Sequence, residues 1–70
     1  DGGEDGLDFY REIVEGAPRH LNKKGWLFFE VGAGQAGKVQ ELMEENGFDC
    51  LTIIKDYNKI ERIVYGRIGK

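Results

Sequence analysis

Six residues, Trp26-Leu27-Phe28-Phe29-Glu30-Val31, form an apolar run broken by a single carboxylate. A strand buried on one face alternates apolar and polar side chains, whereas a near-continuous run marks a strand covered on both faces, as in the interior of a parallel sheet. The run therefore predicts an α/β chain with this strand inside the sheet, and Trp26 is read as core rather than as a stacking platform. Gly32 to Gly37 follow as a glycine-rich turn, and Val39, Leu42 and Met43 mark the inner face of a helix that stops at Gly47. Gly47 suits the left-handed position after a helix end, with Phe48 packing back on the last turn, and Met43 falls in the core.

Upstream, Tyr10, Ile13, Val14, Ala17 and Leu21 recur at three- and four-residue spacing, which places them on one stripe of a helix running from Leu7 to Leu21. Gly16 and Pro18 interrupt that pattern. Proline is tolerated at a helix start but not in its interior, so a break followed by one more turn is expected. Asn22 to Gly25 then turn the chain. Cys50 to Lys55 and Arg62 to Ile68 read as two further strands, and Asp56 to Glu61 between them cannot hold a crossover helix, so the pair should be antiparallel. The expected order is helix, strand, helix, strand, strand.

A chain of 70 residues makes one domain at most, and at that length only about 60% of the unfolded surface is buried. Disulfides or a metal usually offset such a deficit, but there is one cysteine, Cys50, and one histidine, His20. His20 has no Cys, Asp or Ser constellation and reads as a solvent-facing residue at a helix end, so no metal site is expected. A single cysteine, no secretory signal and no 18-residue apolar run point to a reducing compartment, the cytoplasm, with no membrane contact. With 10 basic against 13 acidic residues the net charge is -3, which argues against a protein that grips nucleic acid directly. Arg19 to Lys24 form a local basic stretch that suits either an acidic partner or, in the preferred reading, a solvated helix end. The chain opens on Asp1-Gly2-Gly3 without a methionine and reads as part of something longer.

Gly32-Ala33-Gly34-Gln35-Ala36-Gly37 matches G-x-G-x-x-G, after a strand and before a helix. Backbone N–H groups and a helix N-terminus would there face a pyrophosphate. Gly32, Gly34 and Gly37 would form the cofactor cradle, and Asp56 is a loose candidate for the acid that holds a ribose. Glu30 to Gly34 also imitate the first motif of S-adenosylmethionine enzymes. Against a nucleotide site stands the antiparallel hairpin that follows, because it leaves the mononucleotide-binding half incomplete. A structural glycine turn is the preferred reading. A small nucleotide-binding βα unit and a ligand-free α+β interaction module remain as alternatives.

Asp1-Gly2-Gly3-Glu4-Asp5-Gly6-Leu7, then Lys24-Gly25-Trp26-Leu27-Phe28-Phe29-Glu30-Val31-Gly32 with Gln35 three residues on, resembles the C-terminal third of the HemK/PrmC family, the release factor glutamine methyltransferases. Phe48 to Asp56 and Arg62 to Arg67 fit that family's last two strands, so the resemblance covers essentially all 70 residues. It implies a single fragment, residues 1–70, of a Rossmann-like methyltransferase sheet. The whole enzyme would move a methyl group from S-adenosylmethionine to the glutamine of the Gly-Gly-Gln motif in peptide chain release factors. The family's Asn-Pro-Pro-Tyr catalytic loop, its glycine-rich cofactor loop and its ribose-binding acid have no counterpart here. The resemblance therefore assigns no catalytic or cofactor residue to this chain, which is expected to be inactive alone. Asp1, Asp5 and Glu30 are candidates for the substrate rim, although a polar turn with Asp5 or Asp8 as helix N-cap is the preferred reading of the first two and Glu30 would equally serve as a hydrogen-bonded structural carboxylate. Gln35 would bond either the turn backbone or a neighbouring loop. A fragment of this kind leaves the edge of the Trp26–Val31 strand without its neighbour and should self-associate through that edge or the apolar sheet face.

Overall fold

The computed structural model describes residues 6–20 and 25–69, with side chains placed for 6–17 and 25–69. Five elements follow in the expected order: α1 (Asp8–His20), β1 (Trp26–Glu30), α2 (Ala36–Glu45), β2 (Phe48–Lys55) and β3 (Glu61–Ile68). The strands form one sheet in the order β1-β3-β2, and β3 runs antiparallel to both neighbours. It follows that β1 and β2 are parallel to each other, joined through α2, with the last strand of the chain inserted between them.

Helix α1 departs from expectation by running unbroken through Gly16 and Pro18 to His20. Pro18 falls within the last turn, where its missing N–H forfeits one hydrogen bond, and the unbroken register keeps Tyr10, Val14 and Ala17 together on the buried stripe. Leu21 and Asn22 to Lys24 lie outside the described residues. Helix α2 ends as the sequence predicts. Asn46 caps it, the Gly47 N–H donates to the Glu44 carbonyl at 3.2 Å, and Gly47 takes a φ of +89° that a side chain would resist. Phe48 turns inward directly after it and is buried.

Strands β2 and β3 form the antiparallel hairpin expected of them. Its turn is closed by paired backbone bonds, Asp56 N–H to the Ile60 carbonyl and Lys59 N–H to the Asp56 carbonyl, at 2.8 and 2.9 Å. Between Asp49 and Thr52 the β2 register slips and Cys50 takes a φ of +53°, which marks a bulge.

The prediction for β1 needs correction. Among the described residues it is an edge strand, as the expected loss of a neighbour implies, but its pairing, with β3, is antiparallel rather than parallel, Trp26 opposite Arg67 through Glu30 opposite Ile63. Side chains on directly opposed residues share a face, so Trp26, Phe28 and Glu30 lie with Ile63, Tyr65 and Arg67, while Leu27 and Phe29 lie with Val64 and Gly66. Among the described residues, only the second face is covered. The core joins Leu7, Tyr10, Val14 and Ala17 from the α1 side and Ala36, Val39, Leu42 and Met43 from α2 to Phe29, Phe48, Val64 and Ile68 of the sheet. Met43 is fully buried as expected, a position where an apolar side chain contributes about 1.5–3 kcal/mol. Trp26 is not core: it is 45% exposed and Phe28 is 59% exposed, because both helices pack on the opposite face.

Candidate functional site

The C-terminal end of β1 is where an open α/β sheet presents ligands, and here three distant parts of the chain meet on one side chain. Gln35 opens α2 at the N-cap position, yet its side chain makes no cap to the helix. Its Oε1 instead accepts the Gly32 N–H at 2.9 Å and the Tyr10 hydroxyl at 3.1 Å. Its Nε2 donates to the Gly6 carbonyl at 3.5 Å, the longest of these bonds. The Tyr10 hydroxyl also reaches the Glu30 carbonyl at 3.2 Å, so its one proton is shared between two acceptors. Gln35 thus bonds both the turn backbone and the neighbouring segment, the two roles that the sequence left as alternatives.

Tyr10 was legible only as one member of the α1 stripe. The signal for its second role is chemical: a buried tyrosine carries a hydroxyl that must find a partner. Its ring packs edge-on to Phe29 with centroids 5.2 Å apart, which aims the hydroxyl past the end of β1.

The glycine-rich turn closes on itself. The Gly32 N–H is taken by Gln35, and the Gln35 N–H donates to the Gly32 carbonyl at 3.1 Å. A Cβ on Gly32 would stand 3.0 Å from Gln35 Oε1, and Gly34 holds a φ of +79°. Gly37 already lies in the first turn of α2, and a Cβ there would meet nothing within 4 Å. The three glycines thus serve unlike purposes: an approach by Gln35, a left-handed turn and an unremarkable helical position.

Asp56 lies in the hairpin turn. Its Oδ1 accepts the Asn58 and Ile60 N–H groups at 2.8 and 3.0 Å, and its Oδ2 accepts Arg62 Nε at 2.8 Å. The Arg62 hydrogen bond, followed by that of the Ile60 N–H, holds this carboxyl below its ordinary pKa. Glu30 projects from the uncovered face and is exposed, and its carboxylate has no hydrogen bond or ion pair among the described residues. Asp1 and Asp5 lie outside the described residues, as do the side chains of Arg19 and His20. Asp8 is the first residue of α1, and its carboxylate binds Arg11 at 2.9 Å.

Among the described residues no group of three or more His, Cys, Asp or Glu side chains is placed to hold a metal. No described helix is long and apolar enough to cross a membrane. The arrangement at the end of β1 can fix a loop in place, but it sets no nucleophile beside a base.

The uncovered sheet face carries a shallow apolar depression of about 510 Å³ lined by Trp26, Phe28, Ile54 and Tyr65. Tyr65 stacks on Phe28 with centroids 4.7 Å apart, and the Arg67 guanidinium lies 5.8 Å from the Trp26 ring centroid.

No family model and no solved structure matches the chain. Among curated proteins it is 56% identical over 70 residues to a release factor glutamine methyltransferase of Geobacter sulfurreducens, covering 99% of this chain and 24% of that protein. Proteins of the same name from Thermodesulfovibrio yellowstonii and Pseudomonas aeruginosa are 44% and 45% identical over 90% and 93% of the chain. The chain spans about a quarter of the length of these relatives, 23–24%. Nearly all of its residues take part in a match repeated across distant bacteria, and the chain belongs to the family of the release factor glutamine methyltransferases.

Proposed function

We propose that this chain is the C-terminal segment, residues 1–70, of an S-adenosylmethionine-dependent protein methyltransferase of the cytoplasm. The longer enzyme would methylate the glutamine of the Gly-Gly-Gln motif in peptide chain release factors. The observation that carries this reading is the 56% identity over 99% of the chain to a relative named for that activity. The fold supports it: β1 and β2 run parallel with α2 between them in sequence, and the outer edge of β1 has no strand beside it among the described residues. A parallel neighbour added there would extend the three strands into a Rossmann-like sheet.

The described residues do not fit S-adenosylmethionine. Gly32 spends its N–H on Gln35, and Asp56 spends its carboxylate on its own hairpin. Cofactor and reacting amide would both be held by the rest of the longer protein. This chain would contribute the sheet end and part of the substrate rim, with Asp1, Asp5 and Glu30 as the rim residues. An amide nitrogen is a weak nucleophile, so a site that methylates one works largely by orienting it.

The test is a chimera: the full-length Geobacter sulfurreducens relative with its matched 70 residues replaced by this chain. Methyl transfer from labelled S-adenosylmethionine to a release factor at a rate within about tenfold of the parent supports the reading. A folded chimera without transfer refutes it. Calorimetric titration of the 70-residue chain with S-adenosylmethionine and with NAD should give no heat, and saturable binding of either would reinstate Gly32, Gly34 and Gly37 as a cofactor cradle.

A further inference from the structure

We infer that Gln35, together with Tyr10, is a positioning residue: it latches the chain leading into α1 onto the C-terminal end of β1 and thereby sets the substrate rim. This rests on the methyltransferase reading above. Residues 29, 25 and 3 positions apart in sequence, the Gln35–Gly6, Tyr10–Gln35 and Gly32–Gln35 pairs, converge on one carboxamide.

The chemistry explains why the residue is glutamine. Gly32 and Tyr10 both donate, whereas the Gly6 carbonyl accepts, so the side chain must offer two acceptor lone pairs and a donor from one planar group. A carboxylate would lose the donor, and an aliphatic chain would lose all three bonds. The two backbone partners are glycines, which let the amide lie directly against the main chain. A Cβ on Gly6 would come within 3.1 Å of Gln35 Nε2, and one on Gly32 within 3.0 Å of Oε1. Gly6 also holds a φ of +72°, so a side chain there would be strained as well as crowded.

The position of Gln35 shows what has been forgone. Ser, Thr, Asp or Asn at an N-cap satisfies the orphan N–H groups of the helix start and stabilises the helix. Gln35 occupies that position without capping α2 and turns its amide away to Gly32 and Gly6. Gln35 is not part of the buried core, which includes Val14, Phe29, Val31 and Val39. What the latch adds is a fixed register between Gly6 and Glu30 at the end of β1. Glu30 is the described residue assigned above to the rim around the reacting glutamine. Tyr10 contributes by tying the Glu30 carbonyl to the same amide.

The experiment uses the active chimera described above and compares Gln35→Leu, Gln35→Glu and Tyr10→Phe with Gly16→Ala as a control at a half-buried position of α1 where a Cβ would meet nothing within 4 Å. Gln35→Leu and Tyr10→Phe are expected to lower kcat toward release factor by about tenfold or more, since small misplacements of a reacting group are costly. Affinity for S-adenosylmethionine should stay within about twofold, as expected if the latch governs the substrate side alone. Gln35→Glu, which keeps both acceptors, should fall between wild type and Gln35→Leu. The proposal is overturned if all three variants keep wild-type kcat, or if kcat falls only in step with cofactor affinity and folded fraction, the pattern of a merely structural residue. A folded but inactive wild-type chimera would overturn the methyltransferase reading itself, whereas an active chimera indifferent to Gln35 overturns the latch alone.

Discussion

Asp56 receives two backbone N–H groups and one guanidinium within a single hairpin turn, and these bonds favour its charged form. Because the folded state lowers this pKa, the stabilisation is fully present above the unfolded carboxylate value of about 4 and is lost as pH falls through the lower folded value. Asp56→Asn should therefore be less stable than wild type at pH 7, with the gap closing below about pH 4. Denaturant midpoints measured for both proteins across pH 2–7 check this, and a gap that does not narrow as pH falls from 7 to 2 would contradict it. Gly66 acts through size instead. It lies on the covered face of the central strand, where a Cβ would overlap Leu51 Cδ2 and stand 3.3 Å from both the Asp49 carbonyl and Met43 Cε. Gly66→Ala should cost about 1–3 kcal/mol by overpacking, read from equilibrium unfolding.

Helix α1 shows how an amphipathic stripe overrides local breakers. Gly16 costs helix propensity, yet Ala17 joins Tyr10 and Val14 on the buried stripe only if the helix continues through it, and Pro18 removes a backbone donor only in the last turn. A Cβ at Gly16 would meet nothing within 4 Å, and its φ lies outside the left-handed region. Gly16→Ala should accordingly stabilise the protein by about 0.4–1 kcal/mol, seen as a higher Tm with the fold unchanged. Helix α2 is bounded by more local chemistry. Its Gly47 stop was readable because a left-handed φ of +89° favours glycine wherever it occurs. The turn from β2 to β3 was readable for a comparable reason, since so few residues between two strands leave only the antiparallel solution.

At the scale of the whole molecule, the described helices pack on one face of the sheet. The other face carries Trp26, Phe28 and Ile54 at 45%, 59% and 42% exposure, beside an unpaired outer edge of β1 among the described residues. Surfaces of that kind mark interaction sites, and open edges template pairing. We propose that the isolated chain self-associates through them. Sedimentation should show mass rising with concentration, Phe28→Lys should abolish the rise, and a clean monomer at high concentration would rule the idea out.

The sequence by itself determined the kind and order of all five elements, the helix stop at Gly47, the antiparallel hairpin, the burial of Met43 and the family resemblance that the relatives bear out. These are matters of local backbone chemistry, of 3.6- and 2-residue periodicity, or of residue identity in short motifs. Part of the site was legible too, because Gln35 was recognisable as a residue that would bond a turn or a loop. Only the tertiary structure decided that β3 inserts between β1 and β2, that Trp26 faces outward, and that Gln35, Tyr10, Gly6 and Gly32 form one network. The apolar run at Trp26–Val31 records that these side chains are hydrophobic but not what lies against them. That depends on where helices separated by many residues come to rest, and both rest on the same side of the sheet.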